Sequence, residues 1–177
     1  MLSQFEAVEA RRAFPCFDEP RFKTPFELTV EAPTGFTILS NTAEVERTTV
    51  GSHTRVRFSR TPPLPTYLVA LAIGEFDVVD GAAAHNGKLP LRVAASKGKA
   101  HLGKSALETT RIAVDGLSDY FDSPHPYPKL DLVAFPDFSA GAMENPGLIT
   151  FREQVLLLDQ NNRSAQAERS HWLVVTH

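Results

Sequence analysis

Along Phe26-Glu27-Leu28-Thr29-Val30-Glu31-Ala32, apolar and polar side chains alternate. A period of two is what a strand with one buried face requires. No helical period displaces this texture before about residue 97, so the first half of the chain is restricted to β-structure. Pro33-Thr34-Gly35 reads as a turn, and Phe36 to Ser40 as a second strand. Ala43 to Thr49 and His53 to Ser59 flank Val50-Gly51-Ser52 as the arms of a hairpin. Thr66 to Ile73 is more continuously apolar and predicts a strand covered on both faces. Glu75 to Val79 and Leu89 to Ala95 complete the set.

The texture then changes. From Lys99 to Phe121, Leu107, Val114, Leu117 and Phe121 recur at the spacing of an amphipathic helix. Ser123-Pro124-His125-Pro126-Tyr127-Pro128 stops it, because proline removes a helix donor and clashes with the preceding turn. Leu130 to Phe135 predicts a strand, Leu148 to Leu158 one or two more, and Asn162 to Thr176 a second helix. The expected organisation is a β-rich unit over 1–95 and an α/β unit over 96–177, with Ser96-Lys97-Gly98-Lys99 as a short linker.

Composition narrows the function classes. The chain has 177 residues, 42% hydrophobic and 22% charged, which suits a globular protein with a real core. Lys and Arg number 18 against 21 Asp and Glu, a net charge of -3, so no basic surplus points to nucleic acid or an anionic membrane. The nearest basic cluster, Lys97, Lys99 and Lys104, reads as a solvated start to the helix. No apolar run approaches the ~20 residues of a membrane span, and no secretory signal pattern is present. Both ends read as internal to a longer chain, so the compartment stays open. Cys16 is the only cysteine and lies in Phe14-Pro15-Cys16-Phe17, which predicts a buried structural thiol rather than a nucleophile.

Three segments carry candidate chemistry. In Asp137-Phe138-Ser139-Ala140-Gly141-Ala142-Met143-Glu144-Asn145-Pro146-Gly147, small residues leave the backbone bare for another chain to pair with it. Glu144 sets one carboxylate at the end of that edge, and Asn145-Pro146-Gly147 forms a tight turn behind it. Such an edge suits a peptide whose ammonium meets the acid. A plain surface turn with a solvated Glu explains the same spacing, and spacing alone favours it. Gln4 and Glu6 are two apart, so in an extended segment they share a face that can hold a polar or cationic group. A solvated edge strand explains that pair better when it is taken alone. Arg11 and Arg12 are expected to make internal ion pairs. His177 alone makes no metal site. His53, His85, His101, His125 and His171 lack the pairing of a metal helix and read as surface or structural residues.

Taken in order, these segments resemble the gluzincin aminopeptidases, the aminopeptidase N-like family. The resemblance is carried by Gln4-Phe5-Glu6-Ala7 through Ala10-Arg11-Arg12-Ala13-Phe14-Pro15-Cys16-Phe17-Asp18-Glu19-Pro20, and by Thr66-Tyr67-Leu68-Val69-Ala70 with Gly74-Glu75-Phe76. It continues through Pro128-Lys129-Leu130-Asp131-Leu132-Val133, Pro136-Asp137-Phe138, Gly141-Ala142-Met143-Glu144-Asn145 and Gly147-Leu148-Ile149-Thr150-Phe151-Arg152-Glu153. Val174-Val175-Thr176-His177 matches the start of the family's zinc helix.

The resemblance implies a fold and a chemistry. The fold would be part of a β-rich saddle or sandwich domain, followed by the start of a thermolysin-like α/β catalytic domain. The activity would be zinc-dependent removal of N-terminal residues from peptides with a free amino end. Glu144 would bind the α-ammonium within the segment Gly141, Ala142, Met143, Glu144 and Asn145, with Glu6 as a second acid and Gln4 beside the first substrate residue. Gly141 and Ala142 would hydrogen-bond the substrate backbone. His177 would be the first zinc ligand, with the general base and the remaining ligands outside these residues, so the 177-residue piece is expected to be inactive alone. Pro146 departs from the family, where many relatives carry Trp, so no side-chain preference follows. A non-catalytic binding or scaffold relative is the alternative, and an epoxide-hydrolysing relative fits the Phe14 to Pro20 segment less closely.

Overall fold

The computed structural model describes residues 1–159 and 163–177, so the expected helix start at Asn162 lies outside the described residues. The chain divides into two compact units, one of 1–75 with 145–148 and one of 76–144 with 149–177.

The first unit is built from short antiparallel pairings. β1 (Lys23–Thr24) pairs with β6 (Leu64–Pro65), and β3 (Thr37–Ser40) pairs with β7 (Leu71–Gly74). β2 (Thr29–Pro33), β4 (Glu44–Val50) and β5 (His53–Phe58) form a sheet in the order β2-β5-β4. The alternation read from the sequence is the mechanism of its burial. Thr54, Val56 and Phe58 of β5 point inward, where Val56 and Phe58 meet Ala32 and Ile38. The outward residues form ion pairs across strands, Arg55 to Glu31 at 2.6 Å and Arg57 to Glu46 at 3.0 Å. Both pairs are exposed, so each contributes about 1 kcal/mol at most.

The run Thr66 to Ile73 is not one strand. It begins with a 3-10 turn over Thr66–Leu68, and only Leu71–Gly74 is extended. The reason is polar. Thr66 Oγ1 donates at 2.5 Å to Oδ1 of the buried Asp18, which draws the backbone out of a regular ladder. Asp18 Oδ2 accepts from the backbone N of Arg11 at 3.1 Å and from its Nε at 3.2 Å. Arg12 pairs with Glu9 at 2.6 Å, so both arginines make the internal pairs expected of them. Cys16 is half-buried rather than buried, between exposed Pro15 and Phe17. Desolvation, followed by the nearby Asp18 carboxylate, pushes its thiol up from the usual value, which disfavours the nucleophilic thiolate.

The second unit is a sheet of five strands in the order β11-β12-β10-β9-β8. These are β8 (Phe76–Asp80), β9 (Leu91–Ser96), β10 (Leu130–Phe135), β11 (Ala142–Met143) and β12 (Leu148–Arg152). Their texture groups β8 and β9 with the first half, but their ladder partners lie in this sheet. A strand carries the same period whichever sheet it joins. β9 and β10 are parallel, and the crossover that parallel pairing demands holds the helix Lys104–Phe121. A Cβ at Gly103, just before this helix, would lie 2.5 Å from Val93 Cγ1, so only glycine lets the helix start that close to β9. Leu107 and Val114 of the stripe reach the core with Val93, Leu132 and Phe151, while Leu117 and Phe121 stay exposed. Lys99 pairs with Glu153 at 2.6 Å instead of being merely solvated. The second half of Leu148 to Leu158 is a helical turn, Glu153–Leu156, rather than a further strand. The last helix, Ala165–Val175, is capped by Ser164, whose Oγ accepts from Ala167 N at 3.1 Å.

One ionic cluster is buried in this sheet. Asp131 on β10 accepts from Arg92 Nε at 2.7 Å, Arg92 Nη2 at 2.8 Å and Lys129 Nζ at 2.8 Å. Arg92 is its register partner on β9. Burial lowers the Lys129 ammonium's pKa, and the Asp131 carboxylate opposes that shift.

Candidate functional site

β11 is the outermost strand of its sheet and consists of Ala142 and Met143 alone. It pairs antiparallel with β12, Ala142 opposite Phe151 and Met143 opposite Thr150. Arg152 N donates at 2.9 Å to the Gly141 carbonyl. Main-chain groups of successive strand residues point to opposite sides, so those of Ala142 face the open edge. Of the bare backbone anticipated at 139 to 142, only Ala142 lies in the edge strand with its main chain unpaired by β12, while the Gly141 carbonyl is taken by Arg152 N. At Gly141 an added Cβ would sit 3.8 Å from Val174 Cγ1, so this residue lies against the terminal helix.

Burial alternates along this segment. Met143 is buried, Glu144 exposed and Asn145 buried. The two buried neighbours fix the backbone on either side of Glu144, which leaves its carboxylate presented to solvent at the end of the edge. Asn145 to Leu148 closes a β-turn, with Leu148 N donating to the Asn145 carbonyl at 3.1 Å. Pro146 and Gly147 are its central residues, and Gly147 has φ +73°, the left-handed conformation that glycine adopts freely at this position. This turn belongs to the first unit. There Asn41 secures it, donating from Nδ2 to the Pro146 carbonyl at 2.9 Å. Asn41 was not singled out from the sequence, where nothing marks a buried amide whose partners are backbone atoms far along the chain.

Gln4 and Glu6 lie in the first unit, and both are exposed on either side of the half-buried Phe5. Phe5 packs edge-on against Phe14 at 6.0 Å, and Ser3 is tied to Leu71 by 2.9 Å and 2.8 Å hydrogen bonds. The extended stretch ends at Glu6, where a turn begins.

His177 lies two residues past the end of the terminal helix and is exposed. Val174 and Val175 pack on the core of the second unit. His171, one face of the same helix, is buried, and its Nδ1 donates at 2.9 Å to the Val155 carbonyl. Among the described residues no group of three or more His, Cys, Asp or Glu is placed to hold a metal ion. Zinc takes three or four protein ligands, and one imidazole does not supply them. No helix among the described residues is long and apolar enough to cross a membrane.

Two family models match the chain: the peptidase M1 N-terminal domain over residues 1–68 and the peptidase family M1 domain over residues 105–177. The chain belongs to the peptidase M1 family, and its first half precedes the start of the family's catalytic domain. It is similar to aminopeptidase M1-C of Oryza sativa subsp. japonica, 45% identical over 176 residues, covering 99% of this chain and 20% of the relative. It is also similar to the puromycin-sensitive aminopeptidase of Caenorhabditis elegans, 40% identical over 177 residues, covering 99% of this chain and 18% of the relative. A leucyl aminopeptidase of Saccharolobus solfataricus is 38% identical over 168 residues, 94% of this chain and 21% of the relative. The chain thus spans about a fifth of the length of the curated relatives it matches.

Proposed function

We propose that these residues form part of an aminopeptidase that removes N-terminal residues from peptides, with Glu144 receiving the substrate's α-ammonium. The observation that carries this is the exposed Glu144 between buried Met143 and Asn145, at the end of a sheet edge. A peptide strand pairs with the open main chain of Ala142, next to the bare backbone of Gly141. Its ammonium then reaches the carboxylate in a charge-assisted hydrogen bond. Glu6 serves as the second acid and Gln4 contacts the first substrate residue, roles that rest on the family resemblance. The selectivity for free amino ends follows from charge. A blocked peptide leaves the carboxylates desolvated without their cation, a cost of several kcal/mol per ion.

His177 would be one ligand of a zinc ion, which when bound would supply an activated water for peptide hydrolysis. The 177 residues by themselves are expected to be inert and to hold zinc weakly. The test is kinetic. In the full-length protein, Glu144→Ala is expected to lower kcat/KM for free-amine substrates by two orders of magnitude or more, roughly 3 kcal/mol or above, with zinc content unchanged. Unaltered aminopeptidase kinetics in that variant would overturn the assignment.

A further inference from the structure

The backbone that leads into β11 is held by one side chain. Arg152 Nε donates to the carbonyls of Phe138 and Ala140, both at 3.1 Å, and Arg152 Nη2 donates to that of Ser139. The backbone N of the same residue takes the Gly141 carbonyl. Four consecutive carbonyls, from Phe138 to Gly141, are therefore turned onto Arg152. Carbonyl dipoles gathered in this way repel one another unless a cation sits among them. Residues 136 to 141 form no regular element that would otherwise fix them. Phe138 is buried and anchors the start of the segment, while Ser139 and Ala140 are exposed and have no packing to hold them.

We propose that Arg152 is a positioning residue for the peptide-binding edge. It satisfies the inner carbonyls of 138–141 so that the Ala142 main chain faces outward in one fixed register, with Glu144 at its end. The planar guanidinium spans several acceptors at once, which a lysine ammonium on its flexible stem does not reproduce. The inference rests on the proposed aminopeptidase site. It adds that the edge is not self-supporting, and that the arginine ending β12 sets its affinity for peptide backbone.

The experiment compares two substrates in the full-length protein. One is a single amino acid joined to an arylamine, which offers its ammonium but no main chain beyond the scissile bond. The other is a tetrapeptide with the same first residue. Arg152→Ala is expected to raise KM for the tetrapeptide by about tenfold more than for the arylamide, with kcat nearly unchanged and zinc content retained. Arg152→Lys should fall between, and guanidinium ion at sub-denaturing concentration should restore the Ala variant toward the parent. Equal effects on the two substrates, or none, would overturn the proposal. So would loss of the fold in both variants, because Arg152 would then hold the unit together rather than its edge. The underlying site is judged separately by Glu144→Ala, which should impair both substrates alike. If that variant is fully active while Arg152→Ala still raises tetrapeptide KM, the ammonium assignment fails and the edge assignment stands.

Discussion

Asn41 donates from Nδ2 to the carbonyl of Pro146, a residue 105 positions later, at 2.9 Å. The same Nδ2 donates to the Leu68 carbonyl at 2.9 Å, and Oδ1 accepts from Ala70 N at 2.8 Å. Three of the amide's bonding positions are thus filled by backbone, and Asn41 is fully buried. Asn41→Ala should destabilise the protein by about 1–3 kcal/mol, the cost of leaving buried donors and acceptors unmade. Asn41→Asp should be worse, since a carboxylate then faces two carbonyls. Urea denaturation midpoints measure both. Midpoints equal to the parent would show that the 145–148 turn needs no such anchor.

Asp131 stands between Lys129 and Arg92 in the interior of the second unit. Asp131→Ala removes the carboxylate from beside two cations, one of them buried. The expected loss is about 3–5 kcal/mol, typical when one partner of a buried pair is deleted. A double replacement, Lys129→Met with Asp131→Leu, should recover much of that loss. If the double variant is no more stable than Asp131→Ala, buried charge is not the source of the damage.

His171 is expected to make the stability of the fold depend on pH. Its pKa is lowered first by burial, and Arg163 adds to this, while the Val155 and Ser105 carbonyls and Glu168 oppose it. Nδ1 must carry the proton given to Val155. With the folded pKa below the unfolded value of about 6.5, the unfolded state takes up the proton first. Stability should therefore be unaffected well above that pH, fall as pH drops through it, and level off below the folded value. Thermal midpoints from pH 8 down to pH 5 test this. His171→Gln should flatten the profile in that window, and an unchanged slope would exclude His171 as its origin.

Asp18 works in the opposite range. The Thr66 hydroxyl is the largest cause of its lowered pKa, with the Arg11 backbone and side chain adding to it against desolvation. A carboxylate depressed on folding stabilises above its unfolded value of about 3.9 and loses that contribution as pH falls through its folded value. Thr66→Val should raise the folded value and move the acid-unfolding midpoint of the first unit to higher pH. No movement would place the acid sensitivity elsewhere.

What could be read from the sequence divides by the range of the interaction. Leu130 to Phe135 and the hairpin around Val50-Gly51-Ser52 were legible because their periodicity and turn residues are local. Thr66 to Ile73 departs from the single strand its apolar run predicts, because the Thr66 hydroxyl bonds Asp18, far away in the chain. Small residues point to bare backbone at 139 to 142, but not to the narrowing of the edge to β11, its pairing with β12, or the arginine that gathers the carbonyls before it. Those depend on backbone acceptors, which leave no mark in residue type. Asn41 was hidden for the same reason.

The two margins of the second sheet are unlike. β8 presents five residues, but Asp77 and Asp80 stand exposed on it, and charge at a margin discourages lateral growth. β11 is only two residues long, with the exposed Glu144 just past its end. Stacking of one molecule onto the next needs a longer template than that. On the proposed reading, such a margin has room for a single short peptide strand.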